Sequence, residues 1–393
     1  DQKKDGFDRK EWIGALRLHG IECKDPNGIR TRPQSGHEGC ACLDPSLPKS
    51  TYVMMYIIKA LLAVGYTESN FASMTYDWRL SAMQLEDRDK YFTCVKERVE
   101  DFHKKNHKKV VVITHSMGCI VFKIFLDHMR YSAGQDWINK HIHTYVAMGG
   151  PFQGSAKGLR VTVDGGELSL GFLLRKNESK FLTRSWSSTA NLLPTRKDVG
   201  IVDGEECDAF ETVRRQKGAE LCLEFYKNWY KRFDYLSITK APPVKRFVGI
   251  YGVNLETEIS AIYKSIPGKP GEITVDPHGI ANLAEGNVLE KGVIYETPRT
   301  ERTTHDGEKV MVSGDSTVDY ESLSHPMTWK GKVKYLKIYE LEEVAHRDML
   351  SKQSVIEIIA RTVCWRGTRH IERNNGFVNL KSAVRQLQPH ITK

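Results

Sequence analysis

The sequence predicts an α/β fold built on a mainly parallel sheet, and three observations carry that expectation. Short apolar, β-branched runs alternate with helix-like stretches. The runs read as strands buried on both faces, because they lack the in–out alternation of a half-exposed sheet. A helix-like stretch with apolar residues on one face follows the last of them.

Taken in order, Val110-Val111-Val112-Ile113 is the first such strand, and Cys119 to about Met129 is the helix that follows it. Tyr145-Val146-Ala147-Met148 is the second, stopped by Gly149-Gly150-Pro151. Phe247 to Tyr251 and Val333 to Leu341 continue the series. Ser354 to Val363 reads as a helix with Val355, Ile358, Ile359 and Val363 on one face. The rhythm breaks between Phe152 and about Ala241, where helix-like pieces, Trp186, Trp229 and polar loops suggest an insertion. It breaks again from Ile266 to about Thr304, a stretch punctuated by Pro267, Pro270, Pro277 and Pro298 and expected to be an irregular excursion.

Composition narrows the function classes. Forty per cent hydrophobic and 27% charged residues exclude disorder for most of the chain. Scattered glycines and prolines without heptads exclude collagen-like and coiled-coil architectures. The net charge of +9 is mild for 393 residues. Basic clusters occur at Lys104, Lys105, Lys108 and Lys109, and in a tail holding Arg366, Arg369, Arg373, Lys381, Arg385 and Lys393. No nucleic-acid-binding signature accompanies them, so a nucleic-acid partner is not expected. The clusters suit an anionic lipid surface on charge alone. The longest apolar stretch, Tyr52 to Tyr66, contains Lys59 and is too short to span a bilayer. The chain opens on Asp1-Gln2-Lys3-Lys4 without a signal peptide, which suits a mature, trimmed or incomplete chain. Cys207 and Cys222 are spaced for a disulfide, whereas Cys40 and Cys42 are too close, and Asn177-Glu178-Ser179 is a glycosylation acceptor only on a secretory route.

The chemistry-bearing segment is Thr114-His115-Ser116-Met117-Gly118, placed where a strand turns sharply into a helix. That context suits a nucleophile elbow, with Ser116 at the tip and the Met117 N–H directed at an oxyanion. Thr114 stands where a small residue is needed. A serine hydroxyl needs a base, and in this arrangement the acid and then the histidine follow in chain order. Asp315, in Ser313-Gly314-Asp315-Ser316-Thr317-Val318, is an acid at a strand end. His346, in Val344-Ala345-His346-Arg347-Asp348, sits in a loop before the last helix. His325 competes with His346 for the base, and Asp348 has the alternative role of capping the following helix. The histidines and cysteines show no zinc spacing, and a covalent serine mechanism needs no metal or cofactor.

Tyr76-Asp77-Trp78-Arg79-Leu80, His115-Ser116-Met117-Gly118-Cys119, Gly150-Pro151-Phe152-Gln153-Gly154-Ser155, Tyr251-Gly252-Val253 and Gly314-Asp315-Ser316-Thr317-Val318 together resemble the lecithin:cholesterol acyltransferase family. The resemblance implies an α/β-hydrolase fold with an inserted cap. It divides the chain into a partial N-terminal segment (1–50), a core with the elbow (51–155), a cap (156–243), a core with acid and histidine (244–365) and the basic tail (366–393). It implies Ser116 as nucleophile, Asp315 as acid, His346 as base and phospholipid as acyl donor. The acceptor it implies is sterol, diacylglycerol or water, met at a membrane or lipoprotein surface in an endomembrane lumen, lysosome or vacuole, or outside the cell. Tyr76, Asp77, Trp78 and Arg79 are first an ion pair flanked by buried aromatics and second a donor-lipid site. Cys119 is expected to pack as a small hydrophobe, and Asn191-Leu192-Leu193-Pro194 resembles a cap segment. The family also carries an upstream strand ending in Pro-Gly that supplies a second oxyanion donor. Residues 1 to 28 contain no such strand, and Trp12 follows no Pro-Gly turn. The expectation is therefore a chain that has lost this strand, receives it from a separate N-terminal polypeptide, or binds lipid without catalysis.

Overall fold

The computed structural model describes residues 8–166, 174–232, 237–304, 307–363 and the backbone of the strand 376–379. The rest of the basic tail lies outside these residues. Five parallel strands form the central sheet in chain order: β1 (Val110–His115), β2 (Ile142–Met148), β3 (Arg246–Val253), β4 (Tyr335–Glu342) and β5 (Gly376–Asn379). The sheet is parallel because each return to its lower edge is made by a helix or by a long insertion.

Successive residues of each strand feed opposite faces. Tyr145, Phe247, Tyr251 and Ile338 enter one apolar cluster with Phe92, Phe125 and Trp329. Val146, Met148, Val248, Ile250 and Leu341 enter the other, closed by Val355, Ile358 and Ile359 of the helix Gln353–Val363. The helix Tyr91–Asn106 buries Phe92, Val95, Val99 and Phe102, spaced three and four apart, against the first cluster. The helix Met117–Ser132 is buried along most of its length, as expected of a helix enclosed by its neighbours.

Three expectations need correction. β1 is not buried on both faces, and its six residues are all partly exposed. Among the described residues it pairs only with β2, so it ends the sheet. The excursion after Ile266 is not irregular. It carries the short strands Ile273–Val275, Val288–Glu290 and Val293–Glu296, which join Thr257–Ser265 and the hairpin Gly200–Val202/Glu205–Cys207 in a second sheet. Cys207 and Cys222 share an apolar cluster there as free thiols.

The insertion between β2 and β3 holds the helices Ala156–Asp164, Lys176–Thr183, Ser188–Leu192, Ala209–Arg214 and Glu220–Arg232. Leu159 and Val163 of the first join Ala261 and Tyr263 of the second sheet in one cluster. Asn191 accepts the Ala82 N–H at 3.2 Å, tying this insertion to the core. Ser179 of the Asn177-Glu178-Ser179 triplet is buried and bonded within its helix. No helix among the described residues is long and apolar enough to cross a membrane.

Candidate active site

β1 ends at His115, and the chain turns into the helix Met117–Ser132 through Ser116, whose φ is +52° and ψ −127°. A non-glycine residue at such a φ is costly and is held only by its surroundings. Here the Ser116 N–H is fixed to the Met148 carbonyl at 2.9 Å. The Thr114 hydroxyl donates to the Val146 carbonyl at 3.1 Å, so the side chain that replaces the usual glycine is engaged within the sheet. At Gly118 a Cβ would stand 3.6 Å from the Tyr76 hydroxyl and 3.9 Å from Thr114, an ordinary contact. Met117 opens the helix, and the first turn of a helix directs N–H groups without intrahelical partners toward its start.

The two partners expected from sequence meet Ser116 at this turn. His346 Nδ1 lies 2.6 Å from Asp315 Oδ2, and His346 Nε2 lies 2.9 Å from Ser116 Oγ. Since a carboxylate can only accept, Nδ1 donates, leaving Nε2 to accept the serine proton. Asp315 and His346 are buried. The carboxylate's second oxygen accepts the N–H groups of Thr317 at 3.1 Å and Val318 at 2.9 Å. The His346 N–H in turn donates to the Asp315 carbonyl at 2.9 Å, so acid loop and histidine loop are stitched by backbone as well.

The competitors lie elsewhere. His325 contacts the Gln153 amide and the Thr239 carbonyl and packs on Trp329. Asp348 does not cap the last helix. It starts the short 3₁₀ turn Asp348–Ser351 and accepts from the Tyr52 hydroxyl at 3.4 Å. Cys119 is buried, and burial pushes its thiol up to about 12. It therefore packs as a neutral side chain.

Tyr76 to Arg79 divide between two environments. The Arg79 guanidinium binds Asp77 through Nε at 2.9 Å and Nη2 at 2.7 Å, and Asp25 at 2.8 Å. Arg88 adds a contact to Asp77 at 2.6 Å, and Arg32 one to Asp25 at 2.5 Å. This is a buried charge network joining the N-terminal residues to the core, but the expectation of buried flanking aromatics fails at Trp78. Trp78 is 40% exposed and stands edge-on to Trp186 of the insertion. Tyr76 lies under the elbow, and burial holds its hydroxyl protonated.

Sequence reasoning missed three residues of this neighbourhood. Gly149, φ +56°, leaves no room for a side chain, since a Cβ would lie 2.8 Å from His346 Cε1. His115 Nε2 donates to the His346 carbonyl at 3.0 Å, and burial, with the neighbouring imidazole, pushes His115 down to about 3. Glu296 supports the acid loop. The glycine pair after β2 was a visible signal, whereas nothing local marks Glu296. No group of three or more side chains among the described residues is arranged to hold a metal ion.

The largely parallel central sheet, with Ser116, His346 and Asp315 in line at one edge, defines a mixed α/β protein. The sequence carries the narrower assignment. Residues 16–214, half of the chain, match the lecithin:cholesterol acyltransferase family, and the chain belongs to that family. The match contains Tyr76 to Arg79 and Ser116, while Asp315 and His346 lie beyond it. The chain is 26% identical over 406 residues to a phospholipid–sterol O-acyltransferase of Arabidopsis thaliana, covering 81% of this chain and 62% of the relative. It is 29% identical over 208 residues to a phospholipid:diacylglycerol acyltransferase of Schizosaccharomyces pombe, covering 49% and 32% respectively. It is 22% identical over 366 residues to a lysosomal phospholipase A and acyltransferase of Mus musculus, covering 90% and 78%. The chain thus spans under two thirds of the first relative and about a third of the second. A chain in the crystal structure of the Tle4–Tli4 complex is 14% identical with a TM-score of 0.47, covering 77% of this chain and 68% of that one.

Proposed function

We propose that this chain transfers an acyl group from a phospholipid through a Ser116 acyl-enzyme, on an α/β-hydrolase core capped by residues 156–243. The observation that carries the reading is the imidazole of His346 held between Ser116 Oγ and Asp315 Oδ2 in a member of this family. His346 Nε2 takes the serine proton as Oγ attacks the ester carbonyl. The resulting oxyanion faces the Met117 N–H and the start of its helix. On collapse the C–O bond to the glycerol breaks, His346 returns its proton to that oxygen, and lysophospholipid leaves. A sterol or diacylglycerol hydroxyl, deprotonated by His346, then takes the acyl chain. Water in the same place gives a fatty acid instead, and the choice lies with the cap and with water exclusion. The site would work at a membrane or lipoprotein surface, in an endomembrane lumen, a lysosome or vacuole, or outside the cell.

The edge position of β1 favours a second reading of how the site is completed. A strand from a separate N-terminal polypeptide, added beside β1, would bring a further N–H to the oxyanion. Loss of one such donor typically costs about a hundred- to a thousand-fold in rate. The test uses phosphatidylcholine vesicles containing sterol and diacylglycerol, with products resolved by mass spectrometry for the native chain and Ser116→Ala. Sterol ester or triacylglycerol absent from the mutant establishes transfer, and fatty acid with lysolipid alone establishes a phospholipase. A fluorophosphonate probe that leaves Ser116 unlabelled on the folded chain refutes the acyl-enzyme and leaves a lipid-binding protein.

A further inference from the structure

The turn that carries Asp315 is held from outside by a carboxylate that no step of the acyl-transfer scheme uses. Glu296 ends the strand Val293–Glu296 and is fully buried. Its Oε1 accepts the backbone N–H of Gly314 and that of Tyr320, each at 2.7 Å. Those two residues bracket the acid turn, one immediately before Asp315 and one just past Asp319. Its Oε2 takes Nη2 of Arg302 at 2.5 Å. Inside the bracket the turn is closed upon itself. The Asp315 N–H donates to the Val318 carbonyl at 3.2 Å, and Ser316 sits at φ +72° with its N–H on the Thr257 hydroxyl at 2.8 Å. A Cβ at Gly314 would lie 2.1 Å from the Val318 carbonyl and 3.0 Å from Glu296 Oε1, so the turn and the carboxylate leave no slack.

A second carboxyl braces the same turn from the central sheet. Glu340 of β4 accepts the hydroxyls of Tyr320 at 3.0 Å and Tyr251 at 3.1 Å. Tyr251 leads into Gly252, where a Cβ would stand 3.1 Å from the Asp315 Cβ. Both ends of the turn and its outer flank are thus fixed by buried carboxyls, and the turn carries the 2.6 Å contact of Asp315 to His346.

We propose that Glu296 is a positioning residue, whose carboxylate, paired with Arg302, sets the turn that aims Asp315 at His346 and releases that aim when it takes up a proton. The kinetic side of this inference rests on the acyl-enzyme reading, and the structural side does not. The groups facing Glu296 are Arg302 from the strand Glu301–Thr303, Asp319 and Tyr320 from the acid turn, Arg196 from the insertion and Glu340 beyond Tyr320. Burial pushes Glu296 up to about 7, against the pull of Arg302 and with the help of Asp319. As pH falls through that value the carboxyl becomes neutral, and the charge opposite Arg302 is lost.

The test compares the native chain with Glu296→Gln and Arg302→Met. The rate of fluorophosphonate labelling of Ser116 is followed across pH, beside the downfield NMR signal of the His346 Nδ1 proton. The native chain is expected to lose labelling by a step of roughly tenfold as pH falls through about 7. Glu296→Gln removes that step, labels at about the tenfold lower level on both sides of it, and shifts or broadens the imidazole proton signal. Arg302→Met retains both backbone bonds and the step, and moves it upward by about one pH unit or more. It carries the test if the glutamine variant does not fold. A step near 7 that persists in Glu296→Gln with an unmoved imidazole proton overturns the proposal, as does an unshifted step in Arg302→Met. If Ser116 is unlabelled in the native chain, the acyl-enzyme reading fails. The imidazole proton alone then decides, by whether its pH titration loses the step near 7 in the glutamine variant.

Discussion

Replacing Gly149 with alanine tests whether the imidazole position governs the chemistry. Gly149 follows β2 at φ +56°, and its N–H is anchored to the Ile250 carbonyl at 2.8 Å. An added Cβ would lie 2.8 Å from His346 Cε1 and 2.9 Å from Nδ1. Carbon atoms rest comfortably at about 3.5–4.0 Å, so one side must move by about 0.7–1.2 Å. The glycine backbone is tied into the sheet, and the imidazole gives way. Its bond to Ser116 Oγ begins at 2.9 Å and would leave hydrogen-bonding range. Losing a positioned base removes about 10²–10⁴ in rate. The fold pays less: about 1–2 kcal/mol for a side chain in the left-handed region, and a similar amount for the overlap. Fluorophosphonate labelling of Ser116, measured beside a urea denaturation curve, separates these effects. Labelling within about threefold of the native rate on a folded Gly149→Ala chain would refute the claim that this contact fixes the base.

Two further substitutions probe the buried charges. Burial raises Glu340 to about 7, opposed by the hydroxyls of Tyr320 and Tyr251, whereas an unfolded glutamate titrates near 4.3. The ionised form is therefore penalised in the native state above about pH 7, and the penalty fades as pH falls toward the unfolded value. Glu340→Gln should raise unfolding free energy by about 4 kcal/mol at pH 8.5 and by only about 1 kcal/mol near pH 5, and a gap that is flat with pH in paired denaturation curves contradicts the linkage. Arg79→Met removes one guanidinium from Asp77 and Asp25 while Arg88 and Arg32 remain on them, and should cost about 1–3 kcal/mol in chemical denaturation. The same variant should label normally at Ser116 while folded, and selective loss of labelling would move Arg79 from scaffold to donor-lipid site.

Much of this architecture was legible because it is written in local chemistry. The β-branched run ending at Ile113, the small residues around Ser116 and the apolar face of Val355, Ile358 and Ile359 each announce their element. Asp315 lies past the short strand Lys309–Met311, which pairs with Glu301–Thr303 outside the central sheet, and His346 lies past β4. What stayed hidden depends on neighbours distant in sequence. An apolar run looks alike at the centre and at the edge of a sheet, so the exposure of β1 could not be read from Val110 to Ile113. The strands Ile273–Val275 and Val288–Glu290 are too short to show a two-residue period. Glu296 and Glu340 look like ordinary surface acids until the fold encloses them, and Gly149 looks like a strand stop until His346 arrives almost two hundred residues later.

The chain-order succession of β1 to β4 also bears on how such a protein diversifies. Roughly a hundred residues separate the end of β2 from the start of β3, where about a dozen would serve for a crossover. Closing a flexible loop grows costlier only with the logarithm of its length, by about 0.6 kcal/mol per doubling. Three doublings therefore add about 2 kcal/mol, an amount one well-packed buried side chain can offset. The segment between β2 and β3 can thus be lengthened, shortened or exchanged by recombination at little thermodynamic penalty, provided its two ends keep their places in the sheet. The strand ends that bear Ser116 and His346 would be inherited unchanged while the segment between them in the sheet order drifts. Lineages could then change that segment far faster than they change the strand ends.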